Sequence, residues 1–449
     1  MSSIAQFLCD RITTVSGSDR AVDNPENSRI FDALKRRGIK LYPQDGSFIK
    51  EHTPDILVYS TAIEDDNPDF KAAPDVSRMH RAEMLNLCIC SLEDKKTIAV
   101  SGSCGKTSVT AWLTETLVNA GKDPIMIGGG LSNSVTSSDL AGNYRPGSGD
   151  YFIFEADESD KSLLNYNPDY TLLLNIGTDH YETDELIEMF RKFIQRVKIG
   201  AVVSRQVYDL IGEDCFSHLQ TVIFDDRASS KTHWGMENYS PGKALFIDQQ
   251  CDKSKNYTIN LPMPGRHAGM NALAIMAMTQ LLKIKNKSII ECIETFKGIW
   301  RRSDFAGFSK NGAKIYDDYA HNVEKIISCL KTAKEESGRV IAVFQPHGFK
   351  PLEFMQKPLF TELEKELSDK DIFCMLPVYY AGGSTSFSPT SEEVIKTYIK
   401  NGKKNYLYKK EREDLKKYIN DISTKNDTIL IMGARDNSLS FFASEIAIT

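Results

Sequence analysis

The sequence lacks the features that are typical of membrane, secreted and nucleic-acid-binding proteins. It has no run of about 18 or more apolar residues, so a membrane-spanning helix is not expected. Its first residues, MSSIAQFLCDRITT, lack the basic region, the long apolar stretch and the small-residue cleavage site of a secretory signal. A net charge of −6 and a pI near 5.9 provide no general attraction to nucleic acid or to anionic membranes. We therefore expect a cytoplasmic protein whose partners are small molecules and include neither nucleic acid nor membrane.

Paired-cysteine motifs are absent too, which bears on the compartment and on metal binding. The nine cysteines are scattered and odd in number, and no two of them form a C-x-x-C pair. This pattern favours free thiols in a reducing compartment over a disulfide framework or a zinc knuckle.

The length and rhythm of the chain are those of a multi-domain α/β protein. A chain of 449 residues is too long for one ordinary core, and a content of 41% hydrophobic and 26% charged residues is typical of globular proteins. Short apolar runs alternate with helical patterns over nearly the whole length, which indicates α/β units built on parallel sheets. The charged stretch SLEDKK and the new strand signals after Gly298 divide the chain into three predicted domains, 1–92, 93–297 and 298–449.

Several segments predict particular elements of these domains. Residues 55–63, DILVYSTAI, predict a buried strand, and residues 30–38, IFDALKRRG, predict an amphipathic helix that ends at Gly38. Weak alternation of apolar and polar residues over 205–260 favours a small antiparallel excursion, a short group of antiparallel strands beside the parallel sheet. Residues 269–283, GMNALAIMAMTQLLK, predict a buried helix. In the last domain we expect strands at four apolar stretches: KIYDDYA, RVIAVFQPHG, DIFCMLPVYYAGG and DTILIMGARD.

The stretch TIAVSGSCGKTSVTAWL has the order strand, glycine-containing turn and helix. The usual phosphate-loop pattern G-x-x-x-x-G-K-[ST] would place a glycine at Val100, but Gly102 and Gly105 still allow backbone amides to turn toward a phosphate. Lys106 supplies a point charge for the outer phosphates, and Thr107 is placed to bind magnesium. The alternative is a serine-rich turn that merely begins a helix. We expect ATP to bind at Gly102, Ser103, Cys104, Gly105, Lys106, Thr107 and Ser108.

Two further polar residues end strand patterns in the same predicted domain. Glu155 lies in DYFIFEADESD, and His180 ends DYTLLLNIGTDH, 25 residues later. That spacing is about one strand-to-strand crossover, so both side chains are expected at adjacent strand ends that face Thr107. A carboxylate and an imidazole there would hold magnesium, which prefers oxygen and uses few protein ligands. Taken singly, His180 could equally cap a strand end, and EADESD could be a solvated acidic loop.

Taken together, these stretches resemble the Mur ligases, ATP-dependent amide-forming enzymes that build the peptide of the bacterial cell wall. The family's phosphate loop reads T/S-G-T-x-G-K-T/S, so the absence of a glycine at Val100 is normal for it. The similarity covers nearly the whole chain and is strongest to the alanine-adding branch of the family. The matching stretches are VSGSD, VYSTAIEDDNP, HRAEML, SGSCGKTS, EADESD, NIGTDH, GRHAGMNALA, WRRSDF, DDYAHN, VFQPH and MGARD.

The resemblance implies an α/β fold of three domains. These are a Rossmann-like N-terminal domain for a nucleotide sugar, a central P-loop-type ATP-binding α/β domain, and a C-terminal Rossmann-like α/β domain for the incoming amino acid. It implies ATP and Mg²⁺ as cofactors, with a UDP-linked amino sugar and an amino acid as substrates. The chain is expected to be a monomer or a homodimer.

The family motifs also imply roles for individual residues. Four residues would serve catalysis: Lys106, Glu155, His180 and Arg302. Three would bind the metal: Thr107, Glu155 and His180. Outside the phosphate loop, ATP would contact Asn271, Arg302, Asp317 and Asp318, and the other substrates would contact Ser16, Asp19, Tyr319, His321, Asn322 and His347. Taken alone, Asn271 could instead be a helix cap, and Arg301 with Arg302 could be a solvated pair.

Three departures from the family pattern lead to further expectations. The family's first strand and glycine turn would precede MSSIA, so either residues are missing upstream or the nucleotide sugar is held differently. After FQPH the alanine-adding branch has arginine, whereas this chain has Gly348 and then Lys350, and a lysine does not replace an arginine fork on a carboxylate. The chain also differs from the residues that are usual in the family at Ala268, Ser303 and Asn322. We therefore expect adenine to be packed more loosely, while the ATP chemistry is retained.

These observations lead to one leading hypothesis and to rivals. The leading hypothesis is an ATP- and magnesium-dependent ligase that activates a carboxylate as an acyl phosphate, which an amine, most simply L-alanine, then displaces. One rival is a paralogous ligase that uses another amine or acceptor, and Gly348 favours it. Another is a non-catalytic nucleotide-binding module. A Rossmann dehydrogenase is disfavoured because no G-x-G-x-x-G follows a first strand.

Overall fold

A computed structural model describes residues 1–11, 14–177, 183–250, 255–284, 288–380, 387–399 and 405–447. Contacts divide the chain into two compact units, the first made of residues 1–262 with 267–298 and the second of residues 263–266 with 299–449. The expected boundary between residues 92 and 93 lies inside the first unit, so the three-domain division stays a prediction.

Residues 1–92 form short helices and two parallel strand pairs. Strand β1 (Ser16–Asp19) pairs with β2 (Lys40–Pro43), and β3 (Ile56–Tyr59) pairs with β4 (Ser77–His80). The helices are α1 (Ser2–Cys9), α2 (Ser28–Arg36), α3 (Ser47–Glu51), α4 (Pro68–Ala72) and α5 (Arg81–Cys90).

Strand β3 is shorter and less buried than the strand predicted over residues 55–63. Its residues are exposed or half-buried, with Ile56 40% exposed, and the chain turns at residues 61–62. The reason is that β3 has one strand neighbour, β4, in the part of the chain that the structure describes, so much of its surface meets solvent. The helix predicted over residues 30–38 is confirmed as α2, and Gly38 follows it with a φ of +83°.

The central part of the first unit is built on a ten-stranded sheet. Its strands are β5 (Lys96–Ser101), β6 (Ile125–Ile127), β7 (Tyr144–Arg145), β8 (Tyr151–Glu155), β9 (Tyr170–Leu173), β10 (Gly200–Ser204), β11 (Gln220–Asp225), β12 (Trp234–Ser240), β13 (Lys243–Asp248) and β14 (Lys255–Asn260). Their order is β14-β13-β12-β11-β10-β9-β5-β8-β6-β7. From β12 to β6 the pairing is parallel, with antiparallel strands at both edges. The loops after β5, β8 and β9 therefore meet at one edge of the sheet.

The helices of this part include the two that matter most for the site, α6 and α9. They are α6 (Lys106–Asn119), α7 (Thr183–Ile194), α8 (Arg205–Ile211), α9 (Arg266–Leu281) and α10 (Ile289–Glu294). The buried helix predicted over 269–283 is confirmed as α9, in which residues 272–278 are at most 4% exposed. Helix α1 shares the sheet's core, because Phe7 stacks on Phe152 with ring centroids 5.8 Å apart.

The antiparallel excursion predicted over residues 205–260 is confirmed only in part. Strands β12 to β14 are antiparallel, but residues 205–211 form helix α8, and β11 pairs in parallel with β10. Val207 and Ile211 are both fully buried on α8, and their spacing of four residues suits a helix face rather than a strand.

The cysteines found in the described ranges, which leave out Cys251, are all free, as predicted. Across the same ranges, no helix combines the length and the apolar character that crossing a bilayer requires.

The second unit is built on a six-stranded sheet. Its strands are β15 (Asp304–Phe308), β16 (Lys314–Asp318), β17 (Arg339–Gln345), β18 (Ile372–Met375), β19 (Tyr406–Tyr408) and β20 (Asp427–Gly433), in the order β15-β16-β20-β17-β18-β19. All pairs are parallel except β15 with β16. Its helices are α11 (Val323–Glu336), α12 (Phe349–Glu366), α13 (Ser391–Ile399), α14 (Arg412–Ile422) and α15 (Ser438–Ile446).

All four strands predicted for the last domain are present, as β16, β17, β18 and β20. Sequence patterns missed β15 and β19, which are the two edges of the sheet. Little of these two strands is buried, since β15 is exposed or half-buried along its length and Tyr406 alone of the three residues of β19 is buried, so neither shows a continuous apolar run.

Candidate functional site

The phosphate loop lies between β5 and α6 at the carboxyl edge of the central sheet. Strand β5 ends at Ser101 and α6 begins at Lys106, so the turn spans four residues. Gly102 and Gly105 have φ angles of +134° and +87°, which favour glycine. Val100, where the longer pattern has glycine, lies inside the strand and is fully buried. The shorter loop therefore needs no glycine at that position.

Asn175, just after β9, fixes the backbone of the loop. Its carbonyl oxygen accepts Ser103 N–H at 3.1 Å, and its side-chain oxygen accepts Cys104 N–H at 2.8 Å. Its side-chain amide donates to the Cys104 carbonyl at 3.0 Å. Since these two loop amides are engaged, the backbone donors suited to a phosphate are those at the start of α6, which have no partner within the helix.

Thr107 and Glu155 lie in direct contact. Thr107 Oγ1 is 3.0 Å from each carboxylate oxygen of Glu155, and Gly129 N–H donates to Glu155 Oε2 at 2.9 Å. Glu155 ends β8, which neighbours β5 on the side opposite β9. Strands β8 and β9, whose ends we expected to be adjacent, are therefore not neighbours but flank β5, so that expectation is wrong. His180 falls outside the described residues, so its predicted place beside Glu155 and Thr107 stays a prediction.

Lys106 forms a buried ion pair with Glu158. The ammonium is 2.6 Å from Glu158 Oε2 and donates to the Gly102 carbonyl at 2.8 Å. Burial opposes the charge on Lys106, but attraction by Glu158 and Asp157 outweighs burial and raises the pKa of the ammonium. Burial also raises the pKa of Glu158, which is 2% exposed. The alternative that EADESD is a solvated loop is therefore wrong for Glu158.

Asn271 packs against the phosphate loop from helix α9. A Cβ atom added at Gly105 would lie 3.2 Å from Asn271 Oδ1. Asn271 lies well inside α9, so the alternative that it caps a helix end is wrong. The loop, Thr107, Glu155 and Asn271 are thus brought together within the first unit.

The two residues of β1 predicted to contact substrate lie at the ends of that strand. Ser16 is half-buried and Asp19 is exposed. Asp19 Oδ1 accepts Ala21 N–H at 2.8 Å, which shapes the turn after the strand. Between them, the Ser18 hydroxyl donates to Asp69 Oδ2 at 2.5 Å and ties β1 to the start of α4.

In the second unit, a buried arginine anchors the turn WRRSD. Arg301 is 2% exposed and donates to the carbonyls of Gly433 at 2.5 Å and Asp436 at 2.9 Å. Its Nε donates to Asp317 Oδ1 at 3.3 Å. Burial raises the pKa of Asp317 to about 6, against the opposing attraction of Arg301. The alternative of a solvated arginine pair is therefore wrong for Arg301.

Arg302 is held between two residues with unusual backbone angles. Arg301 and Ser303 have φ angles of +58° and +46°, a region that costs about 1–3 kcal/mol for residues with side chains. Ser303 N–H donates to Asp318 Oδ2 at 2.7 Å, which helps to hold this turn. The Arg302 guanidinium carbon lies 5.6 Å from the centre of the Tyr319 ring, within the range of a cation–π contact.

Three side chains of the predicted substrate set cluster after β16 and β17. The rings of Tyr319 and His321 have centroids 5.7 Å apart, and those of His321 and His347 are 5.2 Å apart. Burial, with contributions from nearby His321 and Arg435, lowers the pKa of His347 to about 4, so its ring is neutral at pH 7. Asn322 instead caps helix α11, because its side-chain oxygen accepts Lys325 N–H at 2.9 Å.

Comparison with known proteins matches three segments of the chain to one family. Residues 1–90 match the model "Mur ligase family, catalytic domain", residues 100–279 match "Mur ligase middle domain", and residues 301–435 match "Mur ligase, glutamate ligase domain". The UDP-N-acetylmuramate–L-alanine ligase of Clostridium kluyveri is 30% identical, over 97% of this chain and 93% of that protein. The chain belongs to the Mur ligase family.

The fold of this Mur ligase is similar to those of solved structures. The UDP-N-acetylmuramate-alanine ligase of Thermotoga maritima matches with a TM-score of 0.74 at 22% identity, over 96% of this chain and 98% of that one. The MurF ligase of Thermotoga maritima in complex with ADP matches with a TM-score of 0.60 at 18% identity, over 88% of this chain and 96% of that one. The predicted α/β Mur ligase fold is confirmed.

Several residues at this Mur ligase's phosphate loop were not singled out from sequence. They are Asn175, which shapes the loop, Gly129, which donates to Glu155, and the acidic pair Asp157 and Glu158. A signal was available, since each follows the carboxyl end of a strand in this sheet, where open α/β sheets bind ligands.

Proposed function

We propose that this chain is an ATP-dependent ligase that joins the carboxylate of a UDP-N-acetylmuramate-type substrate to an amino acid, with L-alanine as the first candidate, in the synthesis of peptidoglycan precursors. The observation that carries the proposal is the contact of Thr107 with Glu155 beside Lys106, at the end of a phosphate loop. Similarity to a UDP-N-acetylmuramate–L-alanine ligase over 97% of the chain supports the choice of substrates. We place the reaction in the cytoplasm, where ATP is available.

The residues of the loop fit a nucleotide phosphate and a magnesium ion. The amides at the start of α6 and the ammonium of Lys106 suit phosphate oxygens. Within the described ranges, no three His, Cys, Asp or Glu side chains form a group that could hold a metal ion. Thr107 and Glu155 offer hard oxygen ligands, and magnesium commonly uses one or two such protein ligands with phosphate and water. When bound, magnesium neutralises charge on the phosphate oxygens during transfer.

The chemistry follows from the weakness of a carboxylate as an acyl donor. Its oxygen attacks the γ-phosphorus of ATP, so that the bond to the β-phosphate oxygen breaks and ADP leaves. A neutral amine then attacks the acyl carbon, phosphate leaves with the bonding electrons, and the amine loses a proton. Lys106 would stabilise negative charge on the transferred phosphoryl group, and the catalytic role expected for Arg302 stays a prediction.

A second candidate differs only in the amine, and the structure of the turn before α12 favours it. Gly348 has a φ of +147°, and a Cβ atom there would lie 3.2 Å from Pro351 Cδ. An arginine at that position, as in the alanine-adding branch, would be strained. A different amino acid or a peptide amine therefore remains a candidate substrate in place of L-alanine.

Phosphate release with ATP, magnesium and UDP-N-acetylmuramate tests both candidates. Each amino acid is added in turn, and Lys106→Ala protein prepared in the same way gives the background of contaminating ATPases. We expect release above that background with one amine and formation of the corresponding amide. L-alanine as that amine supports the first candidate, and another amine supports the second. Nucleotide binding without release for any amine would instead support a non-catalytic module.

A further inference from the structure

A series of alternating charges leads from the phosphate loop to the start of helix α5. Lys106 Nζ lies 3.5 Å from Asp157 Oδ1, and Asp157 Oδ2 lies 3.4 Å from Arg81 Nη2. The same Arg81 nitrogen is 2.7 Å from Asp160 Oδ2, which also lies 3.9 Å from His80 Nε2. Asp157 thus uses one oxygen for Lys106 and the other for Arg81, so the two cations hold it between them.

The start of helix α5 positions Arg81 beside Asp157 and Asp160. It is the first residue of α5, and His80 and Glu83 form a capping box around it. Its side chain is 30% exposed, whereas that of Asp160 is 8% exposed. Arg81 belongs to the stretch HRAEML, which matched the family but to which neither the sequence nor the proposed chemistry assigned a role.

Arg81 offsets part of the negative charge next to the phosphate loop. In the described chain, the end of β8 and the turn after it carry four acidic residues, Glu155, Asp157, Glu158 and Asp160. Their ion pairs with lysine or arginine are made by Lys106 and Arg81. Without Arg81, Asp157 would be free to move closer to Lys106, and the field at the loop would become more negative because one positive charge is lost. Both changes oppose the binding of an anionic nucleotide.

We propose that Arg81 is a positioning residue for the phosphate loop: it holds Asp157 and Asp160 and thereby limits the negative charge around Lys106, which nucleotide phosphates have to approach. This inference rests on the proposed use of ATP. It assigns a part in ATP binding to a residue that lies outside the loop, in the segment 1–90 that matches one of the three family models.

The test compares nucleotide affinity and kinetics in matched variants of the full chain. Arg81→Gln removes the charge, Arg81→Lys keeps it, and Arg81→Gln with Asp160→Asn removes one charge of each sign. Arg145→Gln is the control, because Arg145 forms an ion pair of the same 2.7 Å length with Asp123 away from the loop. The Kd of ADP is measured by titration calorimetry, and the KM values of ATP and of the sugar substrate by phosphate release.

We expect Arg81→Gln to raise the Kd of ADP and the KM of ATP about fivefold to tenfold, with the KM of the sugar substrate unchanged. Arg81→Lys and the double variant should recover most of the affinity, and Arg145→Gln should match the native protein. An unchanged Kd in Arg81→Gln, or a loss that neither rescue reduces, would overturn the proposal. A rise confined to the KM of the sugar substrate would overturn it too, because Arg81 would then act on that substrate. Failure of the native protein to release phosphate would count against the proposed function, while the ADP titrations still decide the role of Arg81.

Discussion

Thr107 Oγ1 lies 3.0 Å from each carboxylate oxygen of Glu155. The contact joins the first turn of α6 to the last residue of β8, two elements that are far apart along the chain. It brings a hydroxyl and a carboxylate, the oxygen ligands that magnesium favours, to one place beside the phosphate loop.

Glu155→Gln should therefore raise the magnesium concentration needed for half-maximal activity by at least about tenfold. Glutamine keeps a hydrogen-bonding oxygen for Thr107 and Gly129 but loses the negative charge that attracts the cation. The measurement is phosphate release as magnesium is titrated at saturating ATP. Thr107→Ser is the matched control, since it keeps the hydroxyl and should behave almost as the native protein. An unchanged magnesium requirement in Glu155→Gln would remove this carboxylate from the metal site.

Lys106→Ala should abolish turnover, because the charge that stabilises the outer phosphates is lost. It should also lower the free energy of unfolding by about 3 kcal/mol, since Glu158 would be left buried without its cation. Turnover is measured by phosphate release and stability by chemical denaturation.

The two effects of Lys106→Ala can be separated with a second substitution. Lys106→Ala combined with Glu158→Gln removes the unpaired buried charge, so stability should return while turnover stays absent. Turnover in either variant at the native rate would contradict the role of Lys106 in the phosphate loop.

His347 should make stability depend on pH between about 4 and 6.5. Its pKa is lowered from 6.5 to about 4 in the folded chain, first by burial and then by its neighbours His321 and Arg435. In this window the unfolded chain binds more protons than the folded one, so stability is lost as the pH falls. Unfolding free energies of the native protein and His347→Gln are compared from pH 4 to 7. The native protein should lose more stability than the variant on acidification, and parallel curves would contradict the lowered pKa.

Gly348→Ala should lower the free energy of unfolding by about 1–2 kcal/mol, because a φ of +147° disfavours any side chain. Gly338→Ala is the matched control, since a Cβ atom there meets nothing within 4 Å and its φ is not in the left-handed region. Chemical denaturation of both variants checks this. Equal stability of the two variants would mean that the turn at Gly348 tolerates a side chain. Gly348 would then give no reason to prefer another amine over L-alanine.

Local patterns along the chain were enough to specify the phosphate loop. A short apolar strand, two glycines, a lysine and a helix beginning at Lys106 are all neighbours in sequence, so their order alone indicates a phosphate loop. Local patterns were also enough for α2 with its glycine stop and for the buried helix α9, whose apolar residues recur in a pattern that sequence reveals.

Contacts between distant residues could not be obtained in this way. The order β9-β5-β8 decides that Asn175 and Glu155 reach the loop from opposite sides, and strand order depends on packing over the whole sheet. Burial of Arg301 and Glu158 was equally hidden, because a charged residue in a polar stretch resembles a solvated one until its partners are known. Asp436 and Lys106 supply those partners from 135 and 52 residues away, and only the folded chain brings them into contact.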